Sequence, residues 1–175
     1  MKLIFVSNYF NHHQLPFCDA LYELLEGDFC FLQTQPMEEE RVKMGWQAEE
    51  RPYVRYAAKN SCAYKSGGEK TPGSESNSNA VTGAEDFEKL LFTADVVIFG
   101  GCDDESYIQE RLTAGKLIFR YNERLYKEGQ WKAVSPRGLL QKYKDHTRYR
   151  KAPVYFLCAG AYVPVSYTHL RAHET

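Results

Sequence analysis

The sequence repeats one pattern: a short apolar run, then a polar stretch, then a segment with helical spacing. Its first instance constrains the chain most. Leu3-Ile4-Phe5-Val6 is unbroken and apolar, residues 7–13 read as a polar turn, and Leu15, Cys18, Leu21, Tyr22 and Leu25 then lie at spacings of three and four. A short apolar run bounded by polar residues suits a strand buried on both faces; the later spacing suits a helix with one apolar stripe. Strand, polar loop and helix open a βαβ unit, and in open α/β sheets ligands bind outside the carboxyl ends of the strands. Residues 8–13, with Asn8, Tyr9, Asn11, His12 and His13, are therefore expected to form one wall of a binding crevice.

The pattern continues down the chain. The first helix is expected to start near His13 or Gln14, with Pro16 in its first turn and Gly27 at its end. Phe29-Cys30-Phe31-Leu32 reads as a second buried strand, ending in the polar tip Gln33-Thr34-Gln35-Pro36 at the same edge. Residues 37–43 have helical propensity, Gly45-Trp46 lies in a loop, and residues 52–56 alternate as a third strand. Residues 60–83, rich in Ser, Gly, Asn and Lys, read as a mobile loop or insertion. Neither a phosphate loop nor a dinucleotide glycine fingerprint is present.

A helix over residues 84–92 leads into the strand Val96-Val97-Ile98-Phe99, followed by Gly100 and Gly101, which let a ligand or a neighbouring loop approach the backbone. A helix over residues 106–113, capped by Gly115, precedes a strand over residues 116–121, whose end carries Arg120, Asn122 and Glu123. A basic helix over residues 138–150 follows the Pro136 turn, and residues 153–158 form the last strand. The basic run in that helix is most simply a solvated face; contact with phosphate or anionic lipid is the alternative. The fold expected is α/β, a Rossmann-like open, mostly parallel sheet of about six strands with helices on both faces.

With 22 basic against 23 acidic residues and no strong basic block, a dedicated nucleic-acid binder is disfavoured. The five cysteines, at 18, 30, 62, 102 and 158, form no paired metal or redox motif and read as small buried hydrophobes in a reducing compartment. No apolar stretch is long enough to span a membrane. The chain reads as cytoplasmic, with peripheral membrane contact left open, and with no cofactor and no metal site.

The last residues stand apart. Residues 165–175 have no apolar period and match, residue for residue, the translation of a transposon-library sequencing adapter, whose preceding bases also complete the codon of Pro164. Residues 164–175 are therefore set aside as a non-native tail, with residues 1–163 as one domain. His169 and His173 receive no metal role, and the native gene is expected to continue past Val163.

The repeated architecture resembles the N-terminal, acceptor-side half of a GT-B glycosyltransferase. The text Ser7-Asn8-Tyr9-Phe10-Asn11-His12-His13-Gln14-Leu15-Pro16, with Gln33-Thr34-Gln35-Pro36-Met37-Glu38-Glu39-Glu40-Arg41, is similar to bacterial members of the group-1/family-4 type. The resemblance implies transfer of a sugar from a nucleotide-sugar donor, held by a C-terminal domain outside this chain, to an acceptor glycan or other hydroxylated molecule. The family's paired-glutamate donor motif has no counterpart here, so the chain alone is expected to be inactive. Under that resemblance His12 or His13 is the candidate base or hydrogen-bonding group for the acceptor hydroxyl, the alternative being that one of them caps or packs the first helix. Asn8, Tyr9, Asn11, Gln33, Gly100, Gly101, Arg120, Asn122 and Glu123 are the candidate substrate contacts. The competing reading is a free-standing, non-catalytic Rossmann-like or flavodoxin-like binding module.

Overall fold

The computed structural model describes residues 1–46, 50–57, 80–81, 84–100, 105–122 and 135–160. Strands and helices follow one another as β1 (Leu3–Ser7), α1 (Leu15–Leu24), β2 (Phe29–Gln33), α2 (Glu39–Lys43), β3 (Val54–Ala57), β4 (Ala80–Val81), α3 (Ala84–Thr93), β5 (Val96–Gly100), α4 (Glu105–Thr113), β6 (Leu117–Asn122), α5 (Pro136–Thr147) and β7 (Val154–Cys158). The strands form one sheet in the order β4-β3-β2-β1-β5-β6-β7, and every pair is parallel. This is the Rossmann-like α/β arrangement, with one strand more than the sequence suggests. The extra strand, Ala80–Val81, falls inside the stretch read as an insertion and pairs with Tyr56 and Ala57. The rest of that insertion, residues 60–79 and 82–83, lies outside the described residues, as does the tail.

The central strands form because they have no polar face to expose. Every residue of β1, β2 and β5 is buried. Alternate residues feed two cores. On one face Ile4, Val6, Leu32, Val97 and Phe99 meet Phe87 and Leu91 of α3 and Tyr107 and Ile108 of α4. On the other, Leu3, Phe5, Phe31 and Ile98 meet Cys18, Leu21 and Tyr22 of α1. Helices thus lie on both faces, as expected. Register then fixes the site: Leu3 stands opposite both Phe29 and Val96, so Ser7 ends level with Gln33 and Gly100.

Helix α5 differs from the sequence reading at both ends. Helix α5 starts at Pro136, not Gly138, because Ser135 caps it: its Oγ accepts from the Gly138 amide at 3.1 Å. Pro136 is the first helical residue, where its missing N–H costs nothing. The helix also ends earlier, at Thr147. Helix α1 closes in a Schellman-type turn, Glu26 N donating to Glu23 O and Gly27 N to Tyr22 O.

Arg111 of α4 is fully buried. Its guanidinium donates to the carbonyls of Leu91, Ala94, Asp95 and Leu117, tying the end of α3 to the start of β6. Burial lowers its pKa to about 10, against an opposing pull from Asp95, so it remains a cation at neutral pH.

The cysteine reading needs one correction. Cys18 and Cys30 are buried, and burial pushes their thiols up to about 12 and about 11, too high for a reactive thiolate. Cys158 is exposed, because the last strand ends at the surface. Cys62 and Cys102 lie outside the described residues. Among the described residues no helix is long and apolar enough to cross a membrane.

Candidate functional site

From β1 the chain passes to β2 on one side, and only later returns to β5 on the other. Connections that leave neighbouring strands in opposite directions open a crevice at their carboxyl ends. Here that point lies between Ser7 and Gly100, and residues 8–14 rise beside it.

The loop is built from inside. Ser7 O accepts from Thr34 N at 2.9 Å and Asn8 O from Gln35 N at 3.0 Å, so the loops after β1 and β2 are zipped together. Phe10 turns inward and is buried, its ring 4.9 Å from that of Phe31 and 5.8 Å from that of Tyr53. Its amide donates to Gln33 Oε1 at 3.0 Å, and Gln33 Nε2 donates to Gln35 O at 2.7 Å. Asn11 Oδ1 accepts from His13 N at 2.9 Å, a local turn that Asn makes readily. Gln14, also buried, accepts from Asn11 N at 3.3 Å and donates to Ser7 Oγ at 3.4 Å.

Three side chains are left on the outer surface of this frame. His12 and His13 are exposed, with ring centroids 3.9 Å apart. Each meets Trp46 edge-on at 6.1 Å. Tyr9, half-buried, lies under Arg41, whose guanidinium carbon is 5.0 Å from the Tyr9 ring and 5.2 Å from that of Trp46. Trp46 reaches the cluster through the end of α2. Gly45, at φ +76°, reverses the chain, Gly45 N donates to Val42 O and Trp46 N to Arg41 O. Glu38 completes the set, accepting from Arg41 Nε at 2.9 Å and from the Tyr9 hydroxyl at 3.3 Å.

The electrostatics follow from those contacts. The hydrogen bond from Arg41 holds the Glu38 carboxyl below its ordinary pKa, and Glu38 in turn raises Arg41. Burial, then the Glu38 charge, raises Tyr9. The ion pair cancels its own charge, so the cluster offers aromatic faces, imidazole nitrogens and a phenol with little net charge. Such a surface suits a neutral ligand with apolar C–H faces and many hydroxyls better than a polyanion.

The expected site residues divide sharply. Tyr9, His12 and His13 come together on the outer surface; neither histidine caps α1, whose N-cap is Gln14. Asn8, Asn11 and Gln33 are at the crevice, where the Asn8 carbonyl and the other two side chains brace the loop. At Gly100 a Cβ would stand 2.7 Å from Cε2 of Phe5. Arg120 is apart from the cluster, buried in β6 with its guanidinium carbon 5.9 Å from the Phe156 ring. Asn122 ends β6, two strands from β1, its carbonyl accepting from Ala159 N at 2.9 Å. Gly101 and Glu123 lie outside the described residues. Sequence reasoning missed Glu38, Arg41 and Trp46 as partners of the loop; the one local signal was Gly45 directly before an isolated tryptophan.

No family model, curated protein or solved structure matches the chain.

Proposed function

We propose that this chain is the acceptor-binding half of a glycosyltransferase that moves a sugar from a nucleotide-sugar donor to a hydroxylated acceptor. The observation that carries this reading is the near-neutral wall of Tyr9, His12, His13 and Trp46 beside the switch point of a parallel sheet. Sugar rings stack on aromatic faces through their C–H groups, and imidazoles meet their hydroxyls in either direction. In this reading His12 or His13 takes the proton of the attacking acceptor hydroxyl. The nucleotide sugar is presented by a second domain, and the chain alone turns nothing over.

The test is ligand-observed NMR on this chain with a panel of neutral oligosaccharides, nucleotide sugars and NADH. Saturation transfer to an oligosaccharide is expected, with affinity falling tenfold or more in Trp46→Ala, about 1.4 kcal/mol, and nucleotide sugars giving no comparable signal. Tight NADH binding, or no carbohydrate signal across the panel, would overturn the reading.

A further inference from the structure

A second concave site lies far from the crevice in the topology. Helix α5 runs from the carboxyl end of β6 back to the amino end of β7, so its last turns lie toward the opposite edge of the sheet. There the surface carries an open depression of about 510 Å³ lined by Gln141, Tyr143, Lys144, Thr147, Arg148 and Arg150. Three of these six are cations, three are neutral hydrogen-bonding groups, and none of these described lining residues is acidic.

Local contacts order part of this set, Arg148 lying with its guanidinium carbon 6.0 Å from the Tyr149 ring. Residues 141, 144 and 148 stack along one side of the helix by their spacing. Thr147 Oγ1 donates to Tyr143 O at 2.7 Å, and an Arg150 guanidinium nitrogen donates to the Tyr143 hydroxyl at 3.5 Å. Tyr149 is buried in the core and pins the turn that carries Arg148 and Arg150 on either side. Cations near a helix carboxyl end also answer the helix dipole. That role would need only the last turn, whereas Arg150 stands beyond α5 and lines the same depression as Lys144 and Arg148. Guanidinium groups and hydroxyls gathered in this way match the oxygens of a phosphate.

The geometry points to a phosphate-binding site in this depression, independent of the crevice and of the glycosyltransferase reading. Its ligand carries a phosphate group, either a soluble phosphate or the headgroup of an anionic phospholipid. The site is tested with the chain itself in two arms: titration with inorganic phosphate and pyrophosphate by calorimetry, and flotation with phosphatidylcholine vesicles with or without phosphatidylglycerol. A site variant, Lys144→Gln with Arg148→Gln and Arg150→Gln, is compared with a charge-matched control, Arg55→Gln with Lys89→Gln and Lys116→Gln, both checked by thermal melting. Binding in at least one arm is expected, lost tenfold or more in the site variant and kept within about twofold in the control. The arm that responds identifies the source of the phosphate. Equal loss in both variants would mean that net charge alone attracts the anion, and would overturn the site; so would no binding in either arm. If the site variant melts far below the control, the single changes Arg148→Gln and Lys144→Gln are read in its place.

Discussion

The two flanks of β1 are held by different chemistry. On the β2–β3 side, side chains tie loops together: Gln14 to Ser7, Gln33 to the Phe10 amide, and Asp19 of α1 to the Tyr53 hydroxyl at 2.6 Å and Arg51 Nε at 3.0 Å. On the β5–β6 side the joint is close packing of α3 and α4 on the sheet, the buried guanidinium of Arg111 on four carbonyls, and a glycine fitted to a ring. The difference follows from what each flank carries. The first must hold exposed side chains in fixed relation where water competes for every contact, so the backbone beneath them is hydrogen-bonded. The second carries the helices that close the core, held by apolar packing and by the Arg111 guanidinium.

The largest effect is expected where the second flank depends on a single group. Arg111→Leu removes the donors to Leu91, Ala94, Asp95 and Leu117 and leaves acceptors unpaired in or near the core. The expected loss is about 3 kcal/mol, read from the denaturant midpoint. Arg111→Lys recovers only a fraction, because one ammonium cannot span four carbonyls. A wild-type midpoint for Arg111→Leu would show that packing alone joins α3, α4 and β6.

Gly100→Ala probes the same flank by shape. The added carbon meets the Phe5 ring, which cannot retreat: it is fully buried, 5.0 Å from the ring of Phe31 and 5.4 Å from that of Tyr121. Overpacking of this kind costs about 1–3 kcal/mol. At the outer end of the sheet the contrast is Tyr155, 51 % exposed on β7, where Tyr155→Ser is expected to cost well under half as much. Equal costs measured by thermal melting would mean that β7 is packed as tightly as the centre.

This contrast also explains what the sequence could reveal. Leu3 to Val6, Phe29 to Leu32 and Val96 to Phe99 were legible because a strand buried on both faces is apolar at every position, and the pattern needs no tertiary information. Ala80–Val81 was not, since two residues carry no period and their pairing is decided by the free edge of β3. The loop residues His12 and His13 stood out as polar residues after a strand. Their meeting with Trp46 did not, because it depends on the β1–β2 register, which sets Ser7 against Gln33 and brings α2 alongside. Gln33, expected as a substrate contact, has its side chain bonded to the Phe10 amide and the Gln35 carbonyl; at Gly100, expected to let a ligand or a neighbouring loop come close, a Cβ would meet the Phe5 ring. In both cases the residue type was informative about geometry, while the partner was a matter of tertiary packing.

The smallest effect is expected on the hydrogen-bonded flank, and it should depend on pH. The Tyr53 hydroxyl, and then Arg51, hold the Asp19 carboxyl below its ordinary value of 3.8. A group with a depressed pKa in the folded state contributes stability that is present above its unfolded value and lost as pH falls through the folded one. The advantage of wild type over Asp19→Asn should therefore be constant above about pH 5, shrink below 3.8, and vanish in stronger acid. Because the carboxylate is about one-third exposed, solvent screens the interaction and the difference in melting temperature should be a few degrees at most. Tyr53 adds the opposite slope. Burial, and then the bond to Asp19, push its hydroxyl above the ordinary 10.0, so its contribution is complete below pH 10.0 and is lost as pH rises beyond it. Melting curves across the acid and alkaline ranges for wild type, Asp19→Asn and Tyr53→Phe separate the two slopes. A constant offset for Asp19→Asn at every pH would show that the carboxylate acts on this flank through shape alone, as Gly100 does on the other.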